Sequence, residues 1–451
     1  MPRHDLIIRN VTVVDPAGIA RADIACDGGM IVAIAPDAPG EATETIDGSG
    51  LHAFPGVVDA HVHFNEPGRT HWEGWATGSR ALAAGGGTVA IDMPLNSSPP
   101  VLDTAAFRDK AVAAAASSLV DFALWGGLTP DSLGALDDLA AAGVAGFKAF
   151  MSNSGIDEFR AADDATLWEG MAAAARLGLP VAVHAENDAI AGALGARFRA
   201  RGRTSWADWT ASRPVLAETE AIARAIHLAA DARCALHVVH VSSGAGVALI
   251  AAARARGQDV TAETCPHYLT LTGADLETLG ALAKCAPPLR DEAEQAALWA
   301  ALAAGDIQTV ASDHSPSDPA LKRGADAFAV WGGIAGVQST LPLLLTGGVH
   351  DRGLSPVLVA EVTAAAPASR FRLPGKGRIA PGFDADIALV DLAANWTFDP
   401  GDQQDRHRQN PYAGRAMRGR PIRTIRRSQT IWRDGVPAAG AGGRLLRPTA
   451  R

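Results

Sequence analysis

Two histidines one residue apart carry the most suggestive chemistry in this sequence. His61 and His63 follow the apolar pair Val57-Val58, in a stretch that a Pro-Gly turn ends. This pattern is typical of a short buried β-strand, in which side chains two residues apart point the same way. Two imidazoles on one face suit a borderline metal such as zinc. A pair of hydrogen-bonded core histidines fits the spacing equally well, because one pair cannot supply the four ligands that zinc takes.

Further ligands must come from other strands, and the sequence predicts them. From His61 onward, short apolar runs alternate with Ala-rich helical patterns. The strands predicted after the first are Thr88–Asp92, Asp121–Gly126, Gly146–Phe150, Val181–His184, Leu236–Val241, Val260–Thr264 and Thr309–Ser312. Eight strands with crossover helices predict an α/β fold, a (β/α)₈ TIM-like barrel. The rival fold, a doubly wound open sheet, lacks its glycine-rich turn after the first strand.

The two ends of the chain have a different texture from the middle. Residues 1–55 and 376–440 read as short strands separated by Asp, Gly and Pro turns. We therefore predict one small β-sandwich domain built from both chain ends, around a barrel at 56–375. The last residues, 441–451, are expected to form a loose tail.

Composition narrows the class of protein. The chain has 451 residues, 48% hydrophobic and 20% charged, which is typical of a globular protein. A net charge of −9 favours neither a nucleic-acid partner nor an anionic membrane. The 4 cysteines have no CxxC spacing, and no apolar run reaches membrane-spanning length. The expectation is a cytoplasmic protein with free thiols.

Polar residues interrupt the apolar runs where barrel strands end, and catalytic side chains lie at that end of such barrels. These residues are Lys148, His184, His240 and Asp313. His240 is preferred to His237 because it lies nearer the end of its strand, and His237 then faces the helices as a packing or hydrogen-bonding residue. A buried unpaired ammonium is rare, so Lys148 either pairs with Glu186, extends its amine to solvent, or is a neutral amine. A neutral amine could take up CO₂ to give a carbamate that bridges two metals.

With these residues assembled, the chain resembles the cyclic amidohydrolases of the amidohydrolase superfamily, and within them the allantoinase family. The resemblance covers nearly the whole chain. Its marks are HVHFNEPGRTHWEG (61–74), DMPLNSSPP (92–100), GFKAFMS (146–152), VHAEN (183–187), HVVHVSS (237–243), AETCPHYL (262–269), KCAPPLRD (284–291), SDHSP (312–316), WGGIAG (331–336) and KGRIAPGFDAD (376–386).

This resemblance implies a site for two divalent metal ions, zinc first, with cobalt, manganese or iron as alternatives. The implied ligands are His61, His63, N6-carboxylated Lys148, His184, His240 and Asp313. One metal would take His61, His63, Lys148 and Asp313, and the other Lys148, His184 and His240. A hydroxide between the metals would open the ring of allantoin to give allantoate, with Asp313 as base and then acid. Weaker implied substrate contacts are Asn96, Cys285 and Ser315, and the expected assembly is a homotetramer.

Two departures separate the chain from sister families. Dihydroorotases carry Arg two residues after the second histidine, where this chain has Asn65. Dihydropyrimidinases carry Tyr five residues after the carboxylated lysine, where this chain has Asn153. Arg69 lies near enough in sequence to reach an anionic group. The alternatives are therefore a dihydropyrimidinase or hydantoinase, a dihydroorotase, and more remotely a non-catalytic scaffold.

Overall fold

The computed structural model describes residues 3–440 and 442–449. The first strands are β1 (Arg3–Asp15), β2 (Gly18–Asp27), β3 (Met30–Ala35), β4 (Glu41–Asp47) and β5 (His52–Pro55). The central strands are β6 (Val57–Val62), β7 (Gly87–Asp92), β8 (Asp121–Leu124), β9 (Gly126–Gly127), β10 (Phe147–Phe150), β11 (Val181–His184), β12 (Leu236–Val238), β13 (Val260–Thr264) and β14 (Thr309–Val310). The last strands are β15 (Ile387–Thr397), β16 (Ala416–Arg426), β17 (Gln429–Arg433) and β18 (Val436–Pro437).

Helices fill the connections between the central strands and follow the last of them. The α-helices are α1 (Trp75–Ala84), α2 (Thr104–Ser117), α3 (Leu136–Ala142), α4 (Asp164–Leu177), α5 (Asp188–Ala200), α6 (Trp206–Ser212), α7 (Val215–Ala232), α8 (Gly244–Ala255), α9 (Pro266–Thr270), α10 (Gly273–Leu279), α11 (Glu292–Ala304), α12 (Thr340–Leu344), α13 (Pro356–Ala360) and α14 (Ala366–Arg370). Within the described residues, no helix is both long and apolar enough to cross a membrane.

The central strands form the (β/α)₈ TIM-like barrel predicted from the sequence. Each pairs in parallel with its sequence neighbour, from β6 to β8 and from β9 to β14. β8 and β9 are one strand interrupted at Trp125, whose backbone N–H donates to the Asp92 carbonyl (3.0 Å) and whose indole donates to the Ala60 carbonyl (3.1 Å). The barrel closes between its first and last strands, where the His63 N–H donates to the His314 carbonyl (2.8 Å).

Strands from both chain ends form one sheet, which confirms a β-rich domain built from the two ends, whereas its description as a sandwich stays a prediction. Its order is β18-β17-β16-β15-β5-β1-β2-β3, with β4 also paired to β1. The two chain ends meet at β5, which lies parallel to β1 and antiparallel to β15. Apolar side chains such as Ile8, Ile24 and Ile387 are fully buried in its core, as the alternation of apolar and polar residues requires. The domain boundaries at residues 55/56 and 375/376 stay a prediction.

The end of the chain makes contacts that a loose tail does not make. The Phe122 N–H donates to the Arg444 carbonyl (2.9 Å), and the Leu446 N–H donates to the Phe122 carbonyl (2.7 Å). This segment therefore lies along β8 like a short added strand. The expected loose tail at 441–451 is thus wrong for the described residues 442–449, because the backbone of β8 offers unpaired groups and the tail carries apolar residues able to cover them.

A buried ammonium joins the barrel to the small sheet. The Lys376 Nζ lies 2.7 Å from a carboxylate oxygen of Asp121 in β8, 2.7 Å from one of Asp384 and 2.8 Å from one of Asp386. Arg427 adds a second cation 3.3 Å from Asp121. The three carboxylates are close enough together to hold a metal ion, but the ammonium already lies among their oxygens. We therefore interpret this cluster as a structural ion network.

Removing that ammonium should destabilise the fold strongly. In Lys376→Met the carboxylates would stay buried without their central cation, a change that costs about 3–5 kcal/mol in comparable cases. Urea unfolding should show the loss as a lower transition midpoint. Arg176→Met is the matched control, because it breaks an ion pair with Asp137 whose side chains are 60% and 63% exposed and should change the midpoint little. Equal midpoints for the two variants would contradict this role.

Candidate active site

The six residues predicted as metal ligands all lie at one end of the barrel. His61 belongs to β6, Lys148 to β10 and His184 to the last position of β11. His63, His240 and Asp313 follow the ends of β6, β12 and β14 within three residues. Because parallel strands direct their carboxyl ends to the same face, side chains far apart in sequence converge there. Five of the six are buried, and the Asp313 side chain is 13% exposed.

Asp313 faces the two histidines of the HxH pair. Its Oδ1 lies 3.2 Å from the His61 Nε2 and 3.4 Å from the His63 Nε2. One ligand atom from each of these three residues lies within 4.8 Å of the others. Two imidazoles and a carboxylate are a donor set that zinc accepts. The pKa of His61 is lowered well below its usual range, mainly by burial and further by nearby cationic groups. This favours the neutral imidazole, which is the form able to bind a metal.

His184 and His240 form a second group beside the first. The His184 Nδ1 lies 3.0 Å from the His240 Nε2, and the His240 ring centre lies 5.5 Å from that of His61. Burial is the main cause that lowers the pKa of both imidazoles. The His240 Nδ1 is buried and has no hydrogen-bond partner among the described residues. Both imidazoles are therefore favoured in the neutral form, in which each ring has one unprotonated nitrogen able to bind a metal.

Lys148 is the residue whose surroundings are hardest to explain without a ligand. Its side chain is fully buried, and its Nζ has no hydrogen-bond partner among residues 3–440 and 442–449. The Nζ lies 4.9 Å from the centre of the Phe150 ring. Glu186, the partner considered from the sequence, instead accepts from His184 (2.8 Å) and from Arg213. Burial lowers the pKa of the Lys148 amine to about 8, so a neutral amine is accessible.

Backbone strain accompanies two of these residues. His240 has φ 41° and Asp313 has φ 44°, in the left-handed region that residues with a Cβ seldom adopt. Such strain costs of order 1–3 kcal/mol and persists only where the surroundings impose it. His240 lies two residues after the end of β12 and Asp313 three residues after the end of β14, so the turn lets each side chain bend back over the barrel end.

The three predicted substrate contacts have different surroundings. The Asn96 side-chain amide lies 3.4 Å from the His63 Nδ1, on the side of that ring opposite Asp313. The Cys285 carbonyl accepts from the Trp209 indole (3.3 Å), and burial raises the pKa of the Cys285 thiol to about 12. The Ser315 backbone N–H donates to the Ile334 carbonyl (2.9 Å). Their contact with substrate stays a prediction, and Asn96 supports His63 in addition.

Two buried carboxylates of the site escaped the reasoning from sequence. Glu263 in β13 lies 2.8 Å from the His61 Nδ1, and burial raises the pKa of its carboxyl to about 8. Asp59 accepts from the backbone N–H groups of His61 (3.2 Å) and Ser312 (3.1 Å), which ties the first strand of the barrel to the last. The only feature of the sequence that could have indicated these two residues is that each is a carboxylate inside an apolar run. His237 makes hydrogen bonds as expected, and one of them reaches Glu263 (3.1 Å).

Comparison with known proteins identifies the family to which this chain is similar. The family model "Amidohydrolase family" matches residues 53–436. The chain is 54% identical over 448 residues to an allantoinase of Rubrobacter xylanophilus (99% of this chain, 98% of the relative). It is 53% identical over 444 residues to an allantoinase of Deinococcus radiodurans (98% and 99%). An L-hydantoinase (dihydropyrimidinase) structure from Arthrobacter aurescens superposes with TM-score 0.96 at 36% identity (98% and 100%).

A TIM-like barrel whose strand ends gather histidines, a lysine and an aspartate defines a metal-dependent hydrolase. The chain belongs to the amidohydrolase family. Family membership and the grouped donors together support a dinuclear metal site at this end of the barrel.

Proposed function

We propose that the protein is an allantoinase, which hydrolyses the ring of allantoin to allantoate in purine catabolism. The observation that carries this proposal is full-length similarity, at 43–54% identity, to allantoinases of several bacteria. An active-site set of six donors, all present and converging, argues against a non-catalytic scaffold. We also propose that the enzyme is cytoplasmic, which its four free cysteines support, and that it is a homotetramer, as the sequence resemblance implies.

The two ions are proposed to be zinc, held by the residues predicted from the sequence. One ion takes His61, His63, carboxylated Lys148 and Asp313, and the other takes Lys148, His184 and His240. The orphaned Lys148 Nζ and His240 Nδ1 support this assignment, because buried polar atoms almost always have partners. When bound, the ions supply Lewis acidity that activates a water molecule and polarises the scissile carbonyl.

Carboxylation of Lys148 explains how a lysine can serve as a ligand. The neutral amine adds to CO₂, forms a new N–C bond and releases one proton, which leaves a carbamate with two oxygens. An ammonium in this place would be repelled by the metals, whereas a carbamate contributes negative charge. Burial already disfavours the ammonium form.

Asp313 is proposed to move the proton during ring opening. It is the most exposed of the six donors, with a side chain 13% accessible, so one oxygen can face substrate while the other faces the histidines. The carboxylate would accept the proton of the attacking water and return it to the ring nitrogen that leaves.

The residues that differ from sister families favour a neutral five-membered ring. Asn65 is buried, and its amide donates to the Pro316 carbonyl (3.2 Å), so this position offers no charge to a substrate carboxylate. Asn153 is exposed and accepts from the Gly155 N–H (2.8 Å) as a turn residue. Arg69 donates to the Asn96 carbonyl (3.1 Å) and lies 3.4 Å from Glu158. Its charge is therefore already engaged by this chain.

A second candidate function is hydantoin hydrolysis. The specific observation in its favour is the superposition on the L-hydantoinase structure, which covers 98% of this chain. Hydantoin shares the five-membered ring of allantoin and lacks only the ureido tail, so the two functions differ in how that tail is bound.

Lys148→Ala tests the carbamate. The variant should lose both metal ions and nearly all ring-opening activity, because the ligand shared by the two ions is gone. Added short carboxylic acids should restore part of each, since a carboxylate can occupy the space of the carbamate. Metal content by plasma mass spectrometry and allantoin turnover are the measurements. Full metal content and full activity in Lys148→Ala would exclude a carbamate bridge.

A substrate panel tests the proposed function itself. The metal-loaded protein should show its highest kcat/KM on allantoin, compared with hydantoin, dihydrouracil and dihydroorotate. Dihydroorotate should be poorest, because its carboxylate would be desolvated beside Asn65 without a charged partner. If hydantoin gave the highest value, the second candidate function would replace the first. A preference for dihydroorotate or dihydrouracil would overturn both.

A further inference from the structure

Each carboxylate oxygen of Glu263 contacts a different histidine. Its Oε1 lies 2.8 Å from the His61 Nδ1, and its Oε2 lies 3.1 Å from the His237 Nε2. Glu263 and His237 are fully buried, and His61 is 1% exposed. His237 continues the chain of contacts, because its Nδ1 lies 2.7 Å from the Thr261 hydroxyl. Four side chains from three strands thus form one connected hydrogen-bond network.

An ionised Glu263 sets the direction of these hydrogen bonds, because a carboxylate has no proton to give and must accept from both histidines. His237 therefore carries its own proton on Nε2 and donates to Glu263. The His237 Nδ1 is then unprotonated and accepts from the Thr261 hydroxyl (2.7 Å), which in exchange gives up its 3.5 Å contact to the Leu236 carbonyl. The other Glu263 oxygen accepts from the His61 Nδ1–H in the ionised form, which divalent ions bound to His61 would favour.

This order leaves the His61 Nε2 without a proton. That nitrogen is the one that lies 3.2 Å from Asp313, inside the group of predicted ligands. A metal-binding imidazole needs a bare nitrogen on one side and a hydrogen-bond acceptor on the other. Glu263 supplies the acceptor, and His237 with Thr261 fixes Glu263.

The other half of the site uses the opposite ring nitrogen. Glu186 lies 2.8 Å from the His184 Nε2, which leaves the His184 Nδ1 to face His240. Each half therefore has its own buried carboxylate behind one histidine. The two carboxylates are separate in sequence and in contacts, so either one can be altered while the other stays in place.

We propose that Glu263, held by His237 and Thr261, is a positioning residue that fixes the tautomer and orientation of His61 and thereby sets the metal affinity of one half of the site. This inference rests on the proposed metal ligands and adds Glu263 to the residues on which the metal site depends. A carboxylate here has a desolvation cost that an apolar residue would avoid. Its two short contacts to histidines account for its presence.

Glu263→Gln is the test, with Zn²⁺ as the probe. An amide has one acceptor and one donor end, so it cannot accept from both histidines at once. Metal-free variant protein is titrated with Zn²⁺ against a chromophoric chelator, and bound metal is counted after gel filtration. We expect one of the two zinc ions to bind 10–100-fold more weakly, in the range seen when such supporting carboxylates are changed.

Glu218→Gln is the matched control. Glu218 is also a buried carboxylate, but it accepts from the Ser242 N–H (2.7 Å) and hydroxyl (2.9 Å) and contacts none of the six predicted ligands. Zinc affinity in this variant should equal that of the parent. Parent-like binding of both ions in Glu263→Gln, or an equal loss in Glu218→Gln, would overturn the proposal.

A second variant covers the case in which Glu263→Gln fails to fold. Thr261→Val removes only the hydroxyl at the far end of the network and should weaken one zinc ion in the same direction by a smaller factor. Unchanged affinity for both ions in that variant would overturn the proposal. Because zinc binding is read without substrate, a parent that binds two zinc ions but leaves allantoin intact would refute the proposed function alone.

Discussion

The burial of nitrogen donors with too few partners is the constraint on which this barrel end depends. An amine and several imidazoles lie away from water, and two of their nitrogen atoms have no hydrogen-bond partner among the described residues. In water these groups would be hydrated, so their burial must be offset by something that binds them. Burial also lowers the pKa of Lys148, His61 and His240, which produces the neutral donors that metals require. Desolvation thus makes these buried nitrogen atoms costly to leave without a partner, and it also favours the neutral forms that can bind a metal ion.

The rest of the structure can be understood as support for this arrangement. Closure of the barrel through Asp59 brings the first and last strands together, and with them the HxH pair and Asp313. The left-handed turns at His240 and Asp313 aim these side chains at the centre, at an energetic cost that the packed barrel must exceed. Behind the histidines, Glu263 and Glu186 hold the ring nitrogens that face away from the centre.

The sequence predicted the barrel well because its strands are short, apolar and separated by helical patterns. Val181–His184 and Val260–Thr264 have the predicted bounds, whereas the strand predicted at Leu236–Val241 ends at Val238. That difference has a physical cause, since the chain turns at His240 to present its ring. Donors at strand ends were also predictable, because position along a barrel strand determines which end a residue reaches.

What the sequence could not predict depends on contacts between distant strands. Glu263 and His61 are 202 residues apart, and no local pattern indicates that they meet. The role of Asn96 behind His63 was missed for the same reason. The C-terminal segment was misjudged because a short stretch at the end of a chain gives no sign of order until its pairing with the edge of β8 is known. Local patterns specify elements, and the packing of the barrel specifies the partners.

The most direct test of this account is a count of metal ions in the purified protein together with their removal. The account predicts two divalent ions per chain, loss of allantoin hydrolysis when a chelator removes them, and recovery when two equivalents of Zn²⁺ are returned. Hydrolysis of allantoin at an undiminished rate by metal-free protein would contradict it. So would a protein that binds no more than trace metal under conditions in which it is fully folded and active.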